Sequence, residues 1–189
     1  YRQPCSGIII ANPNAPTGLL LSLADIRKLA SEHSNAVIVI DEAYIDFAQA
    51  DADSTGSQVS AVSLINECDN VIVTQTFSKS RSLAGLRVGM AFGSASLIEA
   101  LTRMKNSFNS YPLDKLAQAG ATASVLDVDY FEQTRQQVID LRTSLTEELT
   151  ALGYKVLPSH ANFIFARPKD GNASAVASAL RDQGIIVRH

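Results

Sequence analysis

The chain has 189 residues, 46% of them apolar, and 16 Lys and Arg against 19 Asp and Glu give it a net charge of −3. These proportions describe a globular protein able to bury a core and exclude disordered, collagenous and fibrous classes, while the slight acidity argues against a nucleic-acid partner. Two cysteines, Cys5 and Cys68, form neither a disulfide framework nor a zinc cluster, so a reducing, cytoplasmic setting without a metal is expected.

No apolar run approaches the roughly 20 residues of a membrane span, so no membrane partner is expected. The chain opens on YRQPCSG, which has no charged-then-apolar leader, and stops at GIIVRH straight after a strand-like run, so a piece of a longer protein is expected. GIIIA (7–11) reads as a buried strand and ANPNAPTG (11–18) as a turn-rich loop. Ser22, with Asp25 three residues on, caps an amphipathic helix LADIRKLASEH (23–33), and AVIVID (36–41) is the next strand, which makes a βαβ unit. A polar loop over 49–60, a short helix over 61–67, the strand NVIVT (70–74), the loop QTFSKSRSLAG (75–85) and the strand LRVGMAFG (86–93) follow.

Helices are predicted over 97–105 and 113–126, the second with Pro112 at its start, and then a long helix over 129–152 that ends at Gly153. Strands over 154–157 and 162–167, a helix over 173–183 and a strand over 184–188 complete a small α+β unit. Alternating strands and helices predict an α/β fold with a mostly parallel sheet. The domain boundary falls near residue 126, dividing 1–126 from a long connecting helix and small C-terminal unit over 127–189.

Candidate chemistry gathers at strand ends. Asp41 stands at the carboxyl end of a hydrophobic strand, where open α/β sheets bind ligands, and Tyr44 lies three residues on, able to converge on the same ligand. An Asp in such a place also serves as a cap. Lys79 lies among the hydroxyls of Thr76, Ser78, Ser80 and Ser82, followed by Arg81 and Arg87, with Gly85 and Gly89 permitting close backbone approach. A lysine so placed binds a phosphate, or forms a Schiff base when neighbouring cations and desolvation favour its free amine; the plainer alternative is a solvated surface lysine. Pro16 is compatible with either peptide isomer. His33, His160 and His189 have no nucleophile and acid at a recognisable spacing, so a hydrolase triad finds no support, and neither GxxxxGK[ST] nor GxGxxG is present.

Taken together, ANPNAPTG, VIDEAYIDF (39–47) and TFSKSRSLAGLRVGMAFG (76–93) resemble the fold-type-I pyridoxal-phosphate aminotransferases. Within them DEAYIDF, the SK…LAGLR string, PSHANFIFAR (158–167) and QGIIVR (183–188) are most similar to the histidinol-phosphate aminotransferase family. The resemblance covers almost the whole chain. It implies a fold-type-I large domain, incomplete here, with helices on both faces of the sheet, and a truncated small domain. It implies pyridoxal 5′-phosphate as cofactor, an amino donor and a 2-oxo acid as small-molecule partners, and a homodimer. Histidinol phosphate and 2-oxoglutarate would be the substrates, in histidine biosynthesis. An aromatic aminotransferase, a threonine-phosphate decarboxylase and a non-catalytic module are the alternatives.

On this resemblance Lys79 would be the Schiff-base lysine that also moves the substrate proton. Asp41 would pair with the pyridine nitrogen and Tyr44 would donate to the ring oxygen. Thr76, Ser78 and Arg87 would hold the phosphate, Arg188 would face the substrate phosphate, and Asn162 would lie near the same pocket. Family members carry Asn before the PTG where this chain has Ala15, so Asn14 or Asn12 is expected to reach the ring oxygen instead, unless Tyr44 suffices. The family's large N-terminal portion, which supplies a phosphate-binding helix terminus and a ring-stacking aromatic, and its C-terminal arginine for the substrate carboxylate lie outside these 189 residues.

Overall fold

Uninterrupted runs of isoleucine and valine in three successive segments put an apolar residue at every second position of each strand and so give a sheet one continuous apolar face. In the computed structural model, which describes residues 5–49 and 59–189, β1 (Gly7–Ala11), β2 (Val37–Asp41) and β3 (Val71–Thr76) are parallel neighbours, and β4 (Gly89–Gly93) pairs antiparallel with β3. The register sets Ile8 beside Ile38 and Ile38 beside Val71, then Ile10 beside Ile40 and Ile40 beside Val73. These side chains form one core with Ile26 and Ala30 of helix α1 (Leu23–Glu32) and with Ala61 and Leu64 of a 3-10 turn, Ala61–Leu64. Each fully buried Ile or Leu contributes roughly 1.5–3 kcal/mol. On the opposite face Ile9 is 76% exposed.

Helix α1 starts as the sequence predicts. The Ser22 hydroxyl accepts from the Asp25 amide at 3.1 Å and donates to the Asp25 carboxylate at 2.6 Å. The polar loop expected over 49–60 falls mostly outside the described residues. Beyond β4 come α2 (Ala95–Phe108), α3 (Lys115–Leu126), α4 (Val128–Ala151) and α5 (Ala173–Asp182), with a two-residue antiparallel pair β5 (Lys155–Val156) and β6 (Ala166–Arg167) before α5. Gly153 follows α4 with φ +89°, the left-handed turn that glycine makes at least cost. A second core joins Phe77 and Val88 to Ala117 and Ala121 of α3.

Several boundaries differ from the sequence reading. Helix α3 opens at Lys115 rather than after Pro112, because the Asp114 carboxylate accepts from the Ala117 amide at 2.8 Å and so acts as the cap. The strand expected from Leu86 starts at Gly89, since Leu86 ends a 3-10 turn and Arg87 has φ +55°. The segment 162–167 contributes only Ala166 and Arg167 to a ladder, and 184–188 contributes none. Apolar, β-branched composition makes a segment eligible for a strand, but a ladder partner makes it one, and 184–188 has none among the described residues. Among those residues no helix is long and apolar enough to cross a membrane.

Candidate functional site

Parallel strands end together, so whatever follows each strand is gathered at one edge. Asp41 is the last residue of β2, in register with Ala11 of β1 and Thr74 of β3, and the Thr74 hydroxyl donates to its carboxylate at 3.3 Å. Alternation along β2 buries Ile38 and Ile40 and leaves Asp41 exposed. The chain then turns through Tyr44 into a 3-10 turn, Ile45–Phe47.

Lys79 follows β3, and its Nζ lies 5.1 Å from the centre of the Tyr44 ring, a cation held over an aromatic face. Thr76 and Ser78 form a local turn: the Ser78 amide donates to the Thr76 hydroxyl at 3.1 Å, and that hydroxyl donates to Ser78 Oγ at 2.9 Å. Thr76 pairs with Gly89, and the Phe77 amide donates to the Val88 carbonyl at 3.1 Å, so the antiparallel register brings Ser78 and Arg87 to one level beyond the strands. Arg87 is exposed and its Nη1 donates to the Ala84 carbonyl at 3.0 Å. Arg81 is committed elsewhere, donating to the Ser124 carbonyl at 2.5 Å and stacking 4.1 Å from the centre of the Phe131 ring.

The loop after β1 has cis peptides before Pro13 and Pro16. Asn12 is buried and both ends of its amide are used on Leu21, accepting from its N–H at 2.7 Å and donating to its carbonyl at 3.2 Å. It therefore clips the loop after β1 to the segment that leads into α1. The Asn14 side chain accepts from the Thr17 hydroxyl at 2.7 Å, and its backbone carbonyl accepts from the Gly18 amide at 2.7 Å. Gly18 sits with φ +78° against the turn over 159–163: its carbonyl accepts from the His160 amide at 2.8 Å, and a Cβ there would come within 2.5 Å of Ser159 Oγ.

A cleft of about 750 Å³ opens between these loops, lined by Ala15, Pro16, Tyr44, Phe163, Phe165 and Arg188 among others. Arg188, far away in sequence, therefore shares a cavity with Tyr44. Asn162 is exposed and does not line it. Phe163 meets the Tyr44 ring edge-on, with 5.0 Å between centres.

Three features here escape a reading by motif. Glu42 is only 1% exposed and accepts from Ser60 Oγ at 2.6 Å, the Ala61 amide at 2.6 Å and Gln75 Nε2 at 2.9 Å. Burial pushes its carboxyl above the ordinary Glu value. Its signal was alternation, because the neighbour of an outward Asp41 points inward. Ser80 donates to the Asp46 carboxylate, tying the lysine loop to the turn after Tyr44. On α4, Arg135 donates to the Asp46 carbonyl at 3.3 Å, and Arg142 donates to the carbonyls of Phe47 at 3.0 Å and Ala161 at 2.9 Å. Arg135, Ile139 and Arg142 lie four and three apart, one stripe of the helix.

The donor set suits a cofactor with a phosphate, a basic ring nitrogen and an aldehyde. It offers a carboxylate, an amine, two hydroxyls and a guanidinium at one sheet edge, and among the described residues neither Asp41 nor Lys79 is in an ion pair. Among those residues no group of three or more His, Cys, Asp or Glu is arranged to hold a metal.

The chain resembles known aminotransferases over its whole length. The chain is 86% identical over all 189 residues to histidinol-phosphate aminotransferase 2 of Psychrobacter arcticus, of which it covers 50%. It is 57% identical to the histidinol-phosphate aminotransferase of Acetobacter pasteurianus, of which it covers 51%. The fold superimposes with a TM-score of 0.84, at 26% identity, on the histidinol-phosphate aminotransferase of Sinorhizobium meliloti solved with pyridoxal 5′-phosphate, covering 99% of this chain and 50% of that one. The chain thus spans about half the length of the curated relatives it matches. The family model described as aminotransferase class I and II matches residues 1–189. With that match across its full length, the chain belongs to the class I and II aminotransferase family.

Proposed function

We propose that the protein to which this chain belongs is a pyridoxal-phosphate-dependent histidinol-phosphate aminotransferase, exchanging an amino group between histidinol phosphate and 2-oxoglutarate. The observation that carries this reading is the placement of the Lys79 ammonium over the Tyr44 ring at the edge where Asp41 ends β2, with Arg188 lining the adjoining cleft. The 86% identity to a histidinol-phosphate aminotransferase supports the substrate. Residues 1–126 belong on this reading to the cofactor-binding domain, and 127–189 to the connecting helix and small domain.

When bound, the cofactor supplies an aldehyde that carries the amino group and a ring that accepts the electron pair released at the substrate α-carbon. Lys79 Nζ would hold the aldehyde and would take and return the substrate proton, a role worth roughly 10²–10⁴ in rate. The Asp41 carboxylate, which accepts from the Thr74 hydroxyl at 3.3 Å, would accept a hydrogen bond from the ring nitrogen and keep that nitrogen protonated. The hydroxyls of Thr76 and Ser78 and the Arg87 guanidinium bind the cofactor phosphate. Tyr44 donates to the ring oxygen, with Asn14 as a second donor in the loop after β1. Arg188 binds the substrate phosphate and Asn162 stands at the rim. The enzyme works as a cytoplasmic homodimer, completed by the half of the relatives' length that this chain does not span.

Borohydride reduction of the full-length protein with pyridoxal phosphate, followed by intact mass and peptide mapping, tests the lysine. The cofactor increment is expected on Lys79. An increment on another lysine, or undiminished transamination by full-length Lys79→Ala, refutes the assignment.

A further inference from the structure

Between Tyr44 and the small unit lies a contact that the proposed chemistry does not use. Arg142 sends one nitrogen, Nη1, to two carbonyls that belong to different parts of the chain, Phe47 and Ala161. Phe47 and Ala161 are buried, at 3% and 0% exposed. The Phe47 amide in turn donates to the Tyr44 carbonyl at 3.1 Å, so Arg142 fixes the turn that aims Tyr44. On the other side, Ser159 Oγ accepts from the Ala161 amide at 3.2 Å and donates to the Phe163 carbonyl at 2.5 Å, so the same guanidinium fixes the turn that aims Phe163. The two rings so aimed are those that meet edge-on at 5.0 Å, and the Lys79 ammonium lies over the first of them.

We propose that Arg142 is a positioning residue that clamps the Tyr44 and Phe163 turns together and thereby sets the surroundings of the Lys79 amine. The proposal rests on the functional reading above. A half-buried guanidinium shared by two carbonyls, with no carboxylate in an ion pair with it among the described residues, is poorly accounted for as a charge interaction. Burial also makes its charged form less favourable than that of an ordinary arginine. Its geometry is that of a bridge: one cationic donor group reaches both backbones, which a neutral apolar side chain cannot do and a lysine ammonium can.

The test uses the full-length protein without cofactor, labelled at its lysines with limiting acetic anhydride and mapped by mass spectrometry, with the remaining lysines as internal standards. In Arg142→Met the Tyr44 ring no longer shields the ammonium, and Lys79 is expected to label about threefold faster, the order of a lost cation–π contact. Arg142→Lys is expected to return the rate to near wild type. Phe163→Leu, which leaves the two carbonyl bonds in place, is expected to behave like Arg142→Met. Loaded with cofactor, Arg142→Met is expected to lose about tenfold in kcat with KM within about twofold, as misplacement of a catalytic group does. If Arg142→Met lacks the wild-type circular dichroism and melting transition, Arg142→Gln, which reaches only one carbonyl, replaces it with the same expectation. A folded Arg142→Met or Arg142→Gln protein that labels at Lys79 like wild type overturns the proposal. Failure of wild type to take up pyridoxal phosphate overturns the functional reading instead, and the labelling comparison in the cofactor-free protein distinguishes the two.

Discussion

Glu42 and Asp41 are adjacent carboxylates with opposite fates, decided by which way a strand residue points. Asp41 leaves the sheet at its open edge, while Glu42 is held by Ser60, Ala61 and Gln75 and fastens the segment after the 49–60 loop to β3. Because burial raises the Glu42 carboxyl, the native state holds its proton more readily than the unfolded chain, whose value is about 4.5. Its contribution to stability is therefore fully present below pH 4.5 and lost as pH rises through the higher native value. Glu42→Gln has no such dependence. The difference in unfolding free energy between wild type and variant, followed by urea titration across the acid range, is expected to move against wild type as pH rises; parallel curves would contradict it. The sequence displayed DEAYIDF openly, yet Glu42 was legible only through alternation, since its three partners come from other segments.

At the scale of elements, the loop after β1 and the turn over 159–163 fit because Gly18 has no side chain. An added Cβ would meet Ser159 Oγ at 2.5 Å on a backbone with φ +78°. Gly18→Ala is expected to cost about 2 kcal/mol or more, combining left-handed strain with the clash, and to lower the melting temperature by several degrees. Pairing it with Ser159→Ala, which removes the nearest atom and leaves Ser159 Cβ at 2.9 Å, is expected to recover part of that loss; full recovery or none would contradict the contact. Helix α1 was legible to the residue at its start, because Ser22 and Asp25 are local partners. The strand expected over 184–188 was not, because a strand is a relation between two segments and composition describes one.

At the scale of the whole molecule, the tail returns to the sheet edge and brings Arg188 to the cleft that Tyr44 lines. Arg188→Leu in the full-length protein is expected to lower kcat/KM for histidinol phosphate roughly 10- to 100-fold, the weight of a charged hydrogen bond, and to leave that for phenylalanine within about threefold. Equal losses for both substrates would place Arg188 away from the substrate phosphate. By itself the sequence determined the α/β class, the order of β1, α1, β2 and β3, and the family, because short continuous apolar runs, a capping Ser and short motifs at strand ends are all local in the chain. Only the tertiary structure decided that Asn12 is spent on Leu21, that Arg81 is spent on Ser124 and Phe131, and that Arg142 joins Phe47 to Ala161. The physical reason is common to all three. A side chain's type fixes what it can bond, but which partner it meets is set by how distant segments pack, and that distance is not written in the spacing of residues along the chain.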